Sequence, residues 1–127
     1  MAERINFSTN TAWENKVEYS RAVKVGNIIE VAGTTAVLDG KVVGEGNPYE
    51  QSKFIFQIIE KILQQAGCSM KNVVRTRTFT TDISKWEEIG RAHAEFFKDI
   101  RPAATMVEVK SLINPDLLVE IEVSAIM

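Results

Sequence analysis

The stretch RPAATMVEVKSLINPDLLVEIEV, from Arg101 to Val123, decides the fold of this chain. Its apolar residues alternate with polar ones, and a period of two predicts β-strands. The Asn-Pro-Asp sequence at 114–116 predicts a turn between two closing strands. In the last strand, Glu120 and Glu122 fall on one face. The opposite face carries Leu117, Val119, Ile121 and Val123.

The carboxylates of this stretch restrict what can lie against the sheet. Together with Glu108 in the preceding strand, Glu120 and Glu122 occupy positions where a sheet normally carries apolar residues. An unpaired buried carboxylate is costly. We therefore expect the carboxylate-bearing face to meet water, a partner subunit or a ligand pocket.

Size and composition favour one cytoplasmic domain. The 127 residues, read as a single domain over 1–127, suffice for a core without disulfides or a metal. The net charge of −2 argues against a phosphate-binding surface, so a nucleic-acid partner is not expected. Cys68 is the single cysteine, which is typical of a reducing compartment. The first ten residues are too polar for a signal peptide or membrane span.

The first half of the chain predicts a hairpin and a helix. A Gly26-Asn27 turn joins strands at Tyr19–Val25 and Ile28–Ala32. Asn47 caps a helix that has Pro48 at its first position, and Glu50 completes the pattern of a capping box. An apolar stripe follows at three-four spacing, and Gly67 ends the helix.

The second half predicts a strand, a helix and the closing pair. Val73–Thr80 is rich in β-branched residues, and Asp82 or Ser84 caps the second helix. The order β-β-α-β-α-β-β indicates an α+β fold, a mixed sheet with two helices on one face. Because two helices cover only one face, the other face is a candidate subunit interface.

The chain resembles the Rid/YjgF family, also called endoribonuclease L-PSP or reactive-intermediate deaminase, over nearly its whole length. The most specific match is PAATMVEV at 102–109, where the family has Pro-Ala-Arg-Ser/Thr-x-Val-Glu-Val. Further matches are YSRAV, IEVAGTT, GNPYEQ, VVRTRTFTTDI and LLVEIEV. The resemblance implies a fold similar to bacterial chorismate mutase and a homotrimer with a cleft at each subunit interface.

The resemblance also implies a chemistry. The deaminase branch of the family hydrolyses imines and enamines to 2-keto acids and ammonia, without metal or cofactor. An arginine clamps the substrate carboxylate, and a glutamate near the end of the chain handles the water. A tyrosine, a serine and an asparagine complete the pocket.

Only part of this pattern is present in the chain. The tyrosine corresponds to Tyr19 and the glutamate to Glu120, which we expect to be catalytic. The clamp arginine corresponds to Ala104, the serine to Ala32 and the asparagine to Gly90. The expected substrate-binding positions are Gly33, Thr34, Gly90, Ala104, Thr105 and Met106, with backbone N–H groups near Gly33 and Met106 available to a carboxylate.

Three other residues leave alternatives open. Arg77 is the first candidate for a substitute clamp, although pairing with a glutamate across strands is also expected for it. Trp13 either stacks on a ligand or anchors the N-terminal segment. His93 lies on the apolar side of the second helix as a core or interface residue, because one histidine does not make a zinc site.

Two functions compete most closely. The first is a cofactor-free Rid-type hydrolase that acts on an imine, enamine or related metabolite. Glu120 positions the water, and the substrate either lacks an α-carboxylate or binds it to another cation. The second is a non-catalytic trimer that binds a metabolite in the same clefts. A ribonuclease or translation inhibitor is a third possibility, and the acidic composition weighs against it.

Overall fold

The structure, a computed structural model, describes residues 2–9 and 11–127. These residues form a six-stranded mixed sheet, a small two-stranded sheet, and two long helices on one face of the larger sheet. The strands are β1 (Arg4–Phe7), β2 (Ala22–Val25), β3 (Ile28–Thr34), β4 (Val37–Leu38), β5 (Lys41–Val42), β6 (Val73–Thr80), β7 (Ala103–Glu108) and β8 (Val119–Ile126). The helices are α1 (Ala12–Val17), α2 (Pro48–Gln65) and α3 (Trp86–Phe97).

The two closing strands are not neighbours. The strand order is β1-β2-β3-β8-β6-β7, so β8 lies between β3 and β6 while β7 is an edge strand. β7 runs parallel to β6, and the other pairs in this sheet are antiparallel. The predicted turn does form, with Asn114 Oδ1 accepting from the Asp116 N–H at 2.8 Å. This turn lies in the connection from β7 to β8, which crosses β6 because β6 lies between these two strands.

Helix α2 begins as its sequence predicts, with one difference at the cap. Asn47 Oδ1 accepts a hydrogen bond from the Glu50 N–H at 3.0 Å. The second bond of a capping box is replaced, because the Asn47 N–H donates to the Gly44 carbonyl at 2.9 Å. Gly67 follows the helix with a φ of 92°, a left-handed conformation that favours glycine.

The hydrophobic core lies between the helices and the sheet. Strand β8 buries Val119, Ile121, Val123 and Ala125 toward α2 and α3. The alternate residues Glu120, Glu122 and Ser124 lie on the uncovered face and stay partly exposed. We call this uncovered side the open face.

Glu108 does not share the open face with Glu120 and Glu122. It aligns with Thr80, which is 1% exposed and faces the helices. Its carboxylate accepts a hydrogen bond from the Ile83 N–H at 3.0 Å and so holds the 3₁₀ turn that leads into α3. Of the three carboxylates, the open face therefore carries Glu120 and Glu122, while the parity of β7 directs Glu108 to the helix side, where it has a structural role.

The N-terminal part of the fold differs from the sequence prediction. β1 and α1 were not expected, and β2 begins at Ala22 rather than at Tyr19. The Tyr19 N–H donates to the Glu14 carbonyl at 3.1 Å, which keeps Tyr19 in the turn after α1. None of the helices in residues 2–9 and 11–127 combines the length and apolar character needed to cross a membrane.

Gln51 connects α2 to the chain that enters β8. Its side chain is 0% exposed. Its amide group donates to the Asp116 carbonyl at 3.0 Å, and its Oε1 accepts from the Leu118 N–H at 2.9 Å. These bonds fix the start of the strand that carries Glu120.

We predict that Gln51→Leu lowers the free energy of unfolding by about 2–3 kcal/mol, because the Leu118 N–H and the Asp116 carbonyl lose the buried amide that binds them. Gln57→Leu, an exposed position on the same helix, is the matched control and should change it by less than about 0.5 kcal/mol. Urea unfolding of both variants measures the difference. Equal effects would show that the buried amide is not needed.

Candidate functional site

Glu120 lies against Gly33 on the open face. A Cβ added to Gly33 would be 2.9 Å from Glu120 Oε2 and 3.0 Å from its Cδ. The carboxylate therefore rests directly on the glycine, and any larger residue at position 33 would displace it. This close approach explains why the predicted site has a glycine at this position.

The electrostatic surroundings of Glu120 favour a poised carboxylate. Partial burial raises the pKa of Glu120, the charge of Arg21 opposes that rise, and the charge of Glu122 adds to it. A carboxyl group whose pKa is raised toward the working pH is better matched to accepting a proton from water. These surroundings agree with the catalytic role expected for Glu120.

Arg21 joins this group, and its role was not evident from the sequence. Its Nη2 donates a hydrogen bond to the Gly33 carbonyl. Its guanidinium carbon lies 5.7 Å from the centroid of the Tyr19 ring, within the range of a cation–π contact. Arg21 therefore contacts two expected site residues and acts electrostatically on Glu120. The signal that could have found it is its position two residues after Tyr19, on the same side of an extended chain.

Arg77 occupies a separate position on the open face. Its Nη1 lies 3.7 Å from Glu122 Oε1, with the two side chains 45% and 36% exposed. This confirms the cross-strand pairing expected for it. Arg77 and Glu122 line an open cleft of about 270 Å³ together with Ala32 and Ser124. The alternative that Arg77 clamps a substrate stays a prediction.

A second cleft lies between α3 and β7, and we call it the β7 cleft. Its volume is about 290 Å³. It contains four of the expected binding positions: Gly90, Ala104, Thr105 and Met106. No heavy atom lies within 4 Å of a Cβ built on Gly90. Gly90 and Ala104 have no charged side chain, so neither position supplies a cation to the β7 cleft.

His93 forms the wall of the β7 cleft. Its Nε2 is 2.9 Å from Thr76 Oγ1, and its ring lies 4.6 Å from the Phe97 ring between centroids. Burial lowers the pKa of His93, which favours the neutral ring at neutral pH. The expected core or interface position is confirmed, with one edge of the ring lining the cleft.

The two groups of site residues lie on opposite sides of the sheet. Ala104 aligns with the buried Thr76, on the helix side. Glu120 aligns with Phe79 on the open face. One chain therefore does not bring Ala104 and Glu120 into a single pocket.

The remaining predicted residues have different surroundings. Trp13 lies on α1 with 51% of its surface exposed, and its role stays a prediction. Thr34 is 3% exposed, and its hydroxyl donates to the Ala32 carbonyl at 2.8 Å. The Thr34 side chain is therefore used within β3. In residues 2–9 and 11–127, no three His, Cys, Asp or Glu side chains are grouped as a metal site.

Comparisons with known proteins identify relatives over the whole domain. The sequence model of the family described as endoribonuclease L-PSP matches residues 9–127. Rv2704 of Mycobacterium tuberculosis, described as a YjgF/YER057c/UK114 family member, has a TM-score of 0.90 and 44% identity, covering 98% of this chain and 100% of that one. The resemblance found in the sequence and the predicted α+β fold are confirmed.

Two curated relatives differ in what their names state. The 3-aminoacrylate deaminase RutC of Acinetobacter baylyi is 35% identical over 104 residues, 81% of this chain and 82% of that protein. The mitochondrial protein MMF1 of Saccharomyces cerevisiae is 31% identical over 115 residues, 90% of this chain and 79% of that protein. Relatives of this chain therefore include a named deaminase and a mitochondrial protein.

Glu14 anchors the segment that precedes Tyr19 and gives a pH-dependent prediction. Burial of its carboxylate opposes ionisation, but hydrogen bonds from Thr9, Ser8 and Thr11 outweigh burial and lower the pKa of Glu14 to about 2 from 4.5. A lowered pKa stabilises the fold above the unfolded value, and the contribution is lost as the pH falls from 4.5 toward about 2.

We therefore predict that Glu14→Gln lowers the melting temperature at neutral pH and that its difference from wild type shrinks as the pH falls below about 4.5. Thermal unfolding across this pH range measures the difference. Glu3→Gln, at an exposed position nearby, is the control. A difference from wild type that is the same at every pH would contradict the role of the ionised carboxylate.

Proposed function

Because this chain belongs to the Rid/YjgF family, we propose that it hydrolyses an imine or enamine at clefts between its own subunits. The observation that carries the proposal is the half-buried Glu120 carboxylate resting on Gly33, with Arg21 and Tyr19 beside it. A carboxylate with a raised pKa on the open face of the sheet suits a general base for water. The deaminase name of one relative supports the same reaction class.

The proposed reaction is an addition followed by an elimination. The oxygen of water forms a bond to the imine carbon while Glu120 accepts one of its protons. The C=N electron pair moves to the nitrogen, which takes a proton from solvent, and Glu120 then passes its own proton to this nitrogen. The C–N bond breaks and releases ammonia as the hydroxyl gives its remaining proton back to Glu120, which loses it to solvent, and the C=O bond forms. An enamine first takes a proton on carbon to give the imine. Tyr19 orients the substrate, and no electron donor or acceptor is needed.

The proposed site is completed by a neighbouring subunit. β7 is an edge strand whose residues are exposed or partly exposed, and an uncovered edge is a surface for association. The open face carries charged and partly apolar side chains without a helix over them. Trimers are typical of this family, and we propose a homotrimer in which the β7 cleft of one subunit meets Glu120 of the next.

The substrate differs from that of a deaminase with the clamp arginine. Ala104 and Gly90 leave the β7 cleft without the charged and amide groups expected there. A substrate carboxylate would lose a paired contact that contributes about 2–5 kcal/mol in a desolvated site. We therefore propose that the β7 cleft receives the uncharged end of the substrate.

The same geometry leaves a binding protein as the second candidate. The observation that favours it is that Ala104 and Gly90 supply neither an arginine nor an asparagine side chain to the β7 cleft. We do not propose the ribonuclease activity that the family description names. His93, the only histidine, is held by Thr76 and Phe97, so no pair of histidines is present for acid–base cleavage of RNA.

We predict that the wild type releases ammonia from freshly generated imines and that Glu120→Gln lowers the rate about 100-fold or more, because the general base is removed. Glu122→Gln is the matched control on the same strand face and should retain most of the activity. A coupled ammonia assay measures both. Equal losses in the two variants would contradict the assignment of Glu120.

We further predict that Ala104→Arg shifts the substrate preference toward 2-imino acids, because it restores a cation in the β7 cleft. Ammonia release from a 2-imino acid is compared with release from an imine that has no carboxylate. If the wild type and Ala104→Arg are both inactive on every imine while small metabolites still raise the melting temperature, the binding-protein candidate replaces the hydrolase.

A further inference from the structure

We propose that Arg21 binds the anionic group of the ligand, in place of the cation missing at Ala104, from the wall that also carries Glu120 and Gly33. This inference rests on the proposed site but not on turnover, because anion binding is measured without a reaction. The proposed ligands are small carboxylates, although the β7 cleft has no arginine to bind them.

The position of Arg21 carries the proposal. It follows Tyr19 by two residues and directly precedes Ala22, whose side chain is 1% exposed and belongs to the core, so Arg21 lies on the open face. Its Nη2 is fixed on the Gly33 carbonyl, and the Glu120 carboxylate rests on the same glycine. The guanidinium is thus held beside the point where Glu120 would activate water.

Arg21 retains hydrogen-bonding capacity in this position. Its Nε is buried and, among the residues that the structure describes, has no hydrogen-bond partner. Among the described residues, Arg21 and Glu120 do not form an ion pair, although the charge of Arg21 lowers the pKa of Glu120. The buried Nε lies out of reach of a ligand, but Arg21 as a whole is only partly buried, so a bound carboxylate would meet the outer N–H groups of its guanidinium. Guanidinium groups bind carboxylates through two parallel N–H donors.

The neighbouring arginines are already paired. Arg77 forms its ion pair with Glu122 at 3.7 Å. Arg75 Nη2 donates to Thr105 Oγ1 at 2.7 Å. Of these three open-face arginines, Arg21 is the one that contacts Gly33 and whose charge acts on Glu120. It is therefore a better candidate for an anion than Arg77, which the sequence alone had favoured.

The test is ligand binding to the intact protein by isothermal titration calorimetry. The probes are 2-oxobutanoate, a 2-keto acid, and 2-oxobutanamide, which has a neutral amide in place of the carboxylate. We expect the wild type to prefer 2-oxobutanoate. Arg21→Gln should weaken 2-oxobutanoate binding about ten- to hundredfold and change amide binding little, because a charge-assisted bond is lost. Arg4→Gln, an exposed arginine on β1, is the matched control.

Arg21→Lys distinguishes the shape of the guanidinium from its charge. Lysine retains the charge but not the planar pair of donors, so an intermediate affinity for 2-oxobutanoate is expected. If Arg21→Gln does not fold, the affinity of Arg21→Lys for 2-oxobutanoate is the test. Arg77→Gln is the rival: loss of 2-oxobutanoate binding in Arg77→Gln but not in Arg21→Gln would overturn the proposal. A wild type that binds both probes equally, or neither, would also overturn it.

A pH profile separates ligand contact from a purely structural role. The charge of Arg21 lowers the pKa of Glu120, against burial and the charge of Glu122. Arg21→Gln should therefore move the acidic limb of the ammonia-release profile to higher pH in addition to weakening carboxylate binding. Carboxylate binding that depends on Arg21 in a protein that hydrolyses no imine would support this inference while refuting the proposed hydrolase.

Discussion

The two-residue alternation of β8 is the constraint on which the rest of the structure depends. On one side it supplies Val119, Ile121, Val123 and Ala125 to the core beneath α2 and α3. On the other side it has to present Glu120 and Glu122 to the open face. A shift of one residue in register would bury both carboxylates and expose the apolar set. The buried amide of Gln51 helps to hold this register, because it binds the chain immediately before β8.

The same alternation separates the site into two halves. Glu120, Gly33, Arg21 and Tyr19 form a charged half on and beside the open face. Ala104, Gly90, Met106 and His93 form a mostly uncharged half between α3 and β7. The clamp arginine that the family resemblance implies would lie in the second half, at the position of Ala104. In this chain the positive charge of Arg21 lies in the first half, beside the proposed general base. There it limits the rise in the pKa of Glu120 and, as we propose, binds the ligand.

Much of the fold followed from local patterns, and the differences have physical causes. β6 and α2 were predicted closely because β-branched residues, a cap and an apolar stripe mark them within a single segment. β1 and α1 were missed because a four-residue, mostly exposed strand and a six-residue helix are too short to show a periodic apolar face. The separation of β7 from β8 depends on pairing with β6, a long-range contact. Arg21 was missed because its importance comes from Gly33 and Glu120, which lie far from it in sequence.

A catalytic site that takes residues from two subunits is tested most directly by mixed assemblies. Glu120→Gln chains and Ala94→Trp chains, the latter with the β7 cleft filled, would be refolded together in equal amounts. If each site joins two neighbours, about a quarter of the sites in random assemblies receive both intact halves, and the mixture regains about a quarter of wild-type ammonia release. A mixture as inactive as its two components would contradict the shared site and return the whole reaction to a single chain.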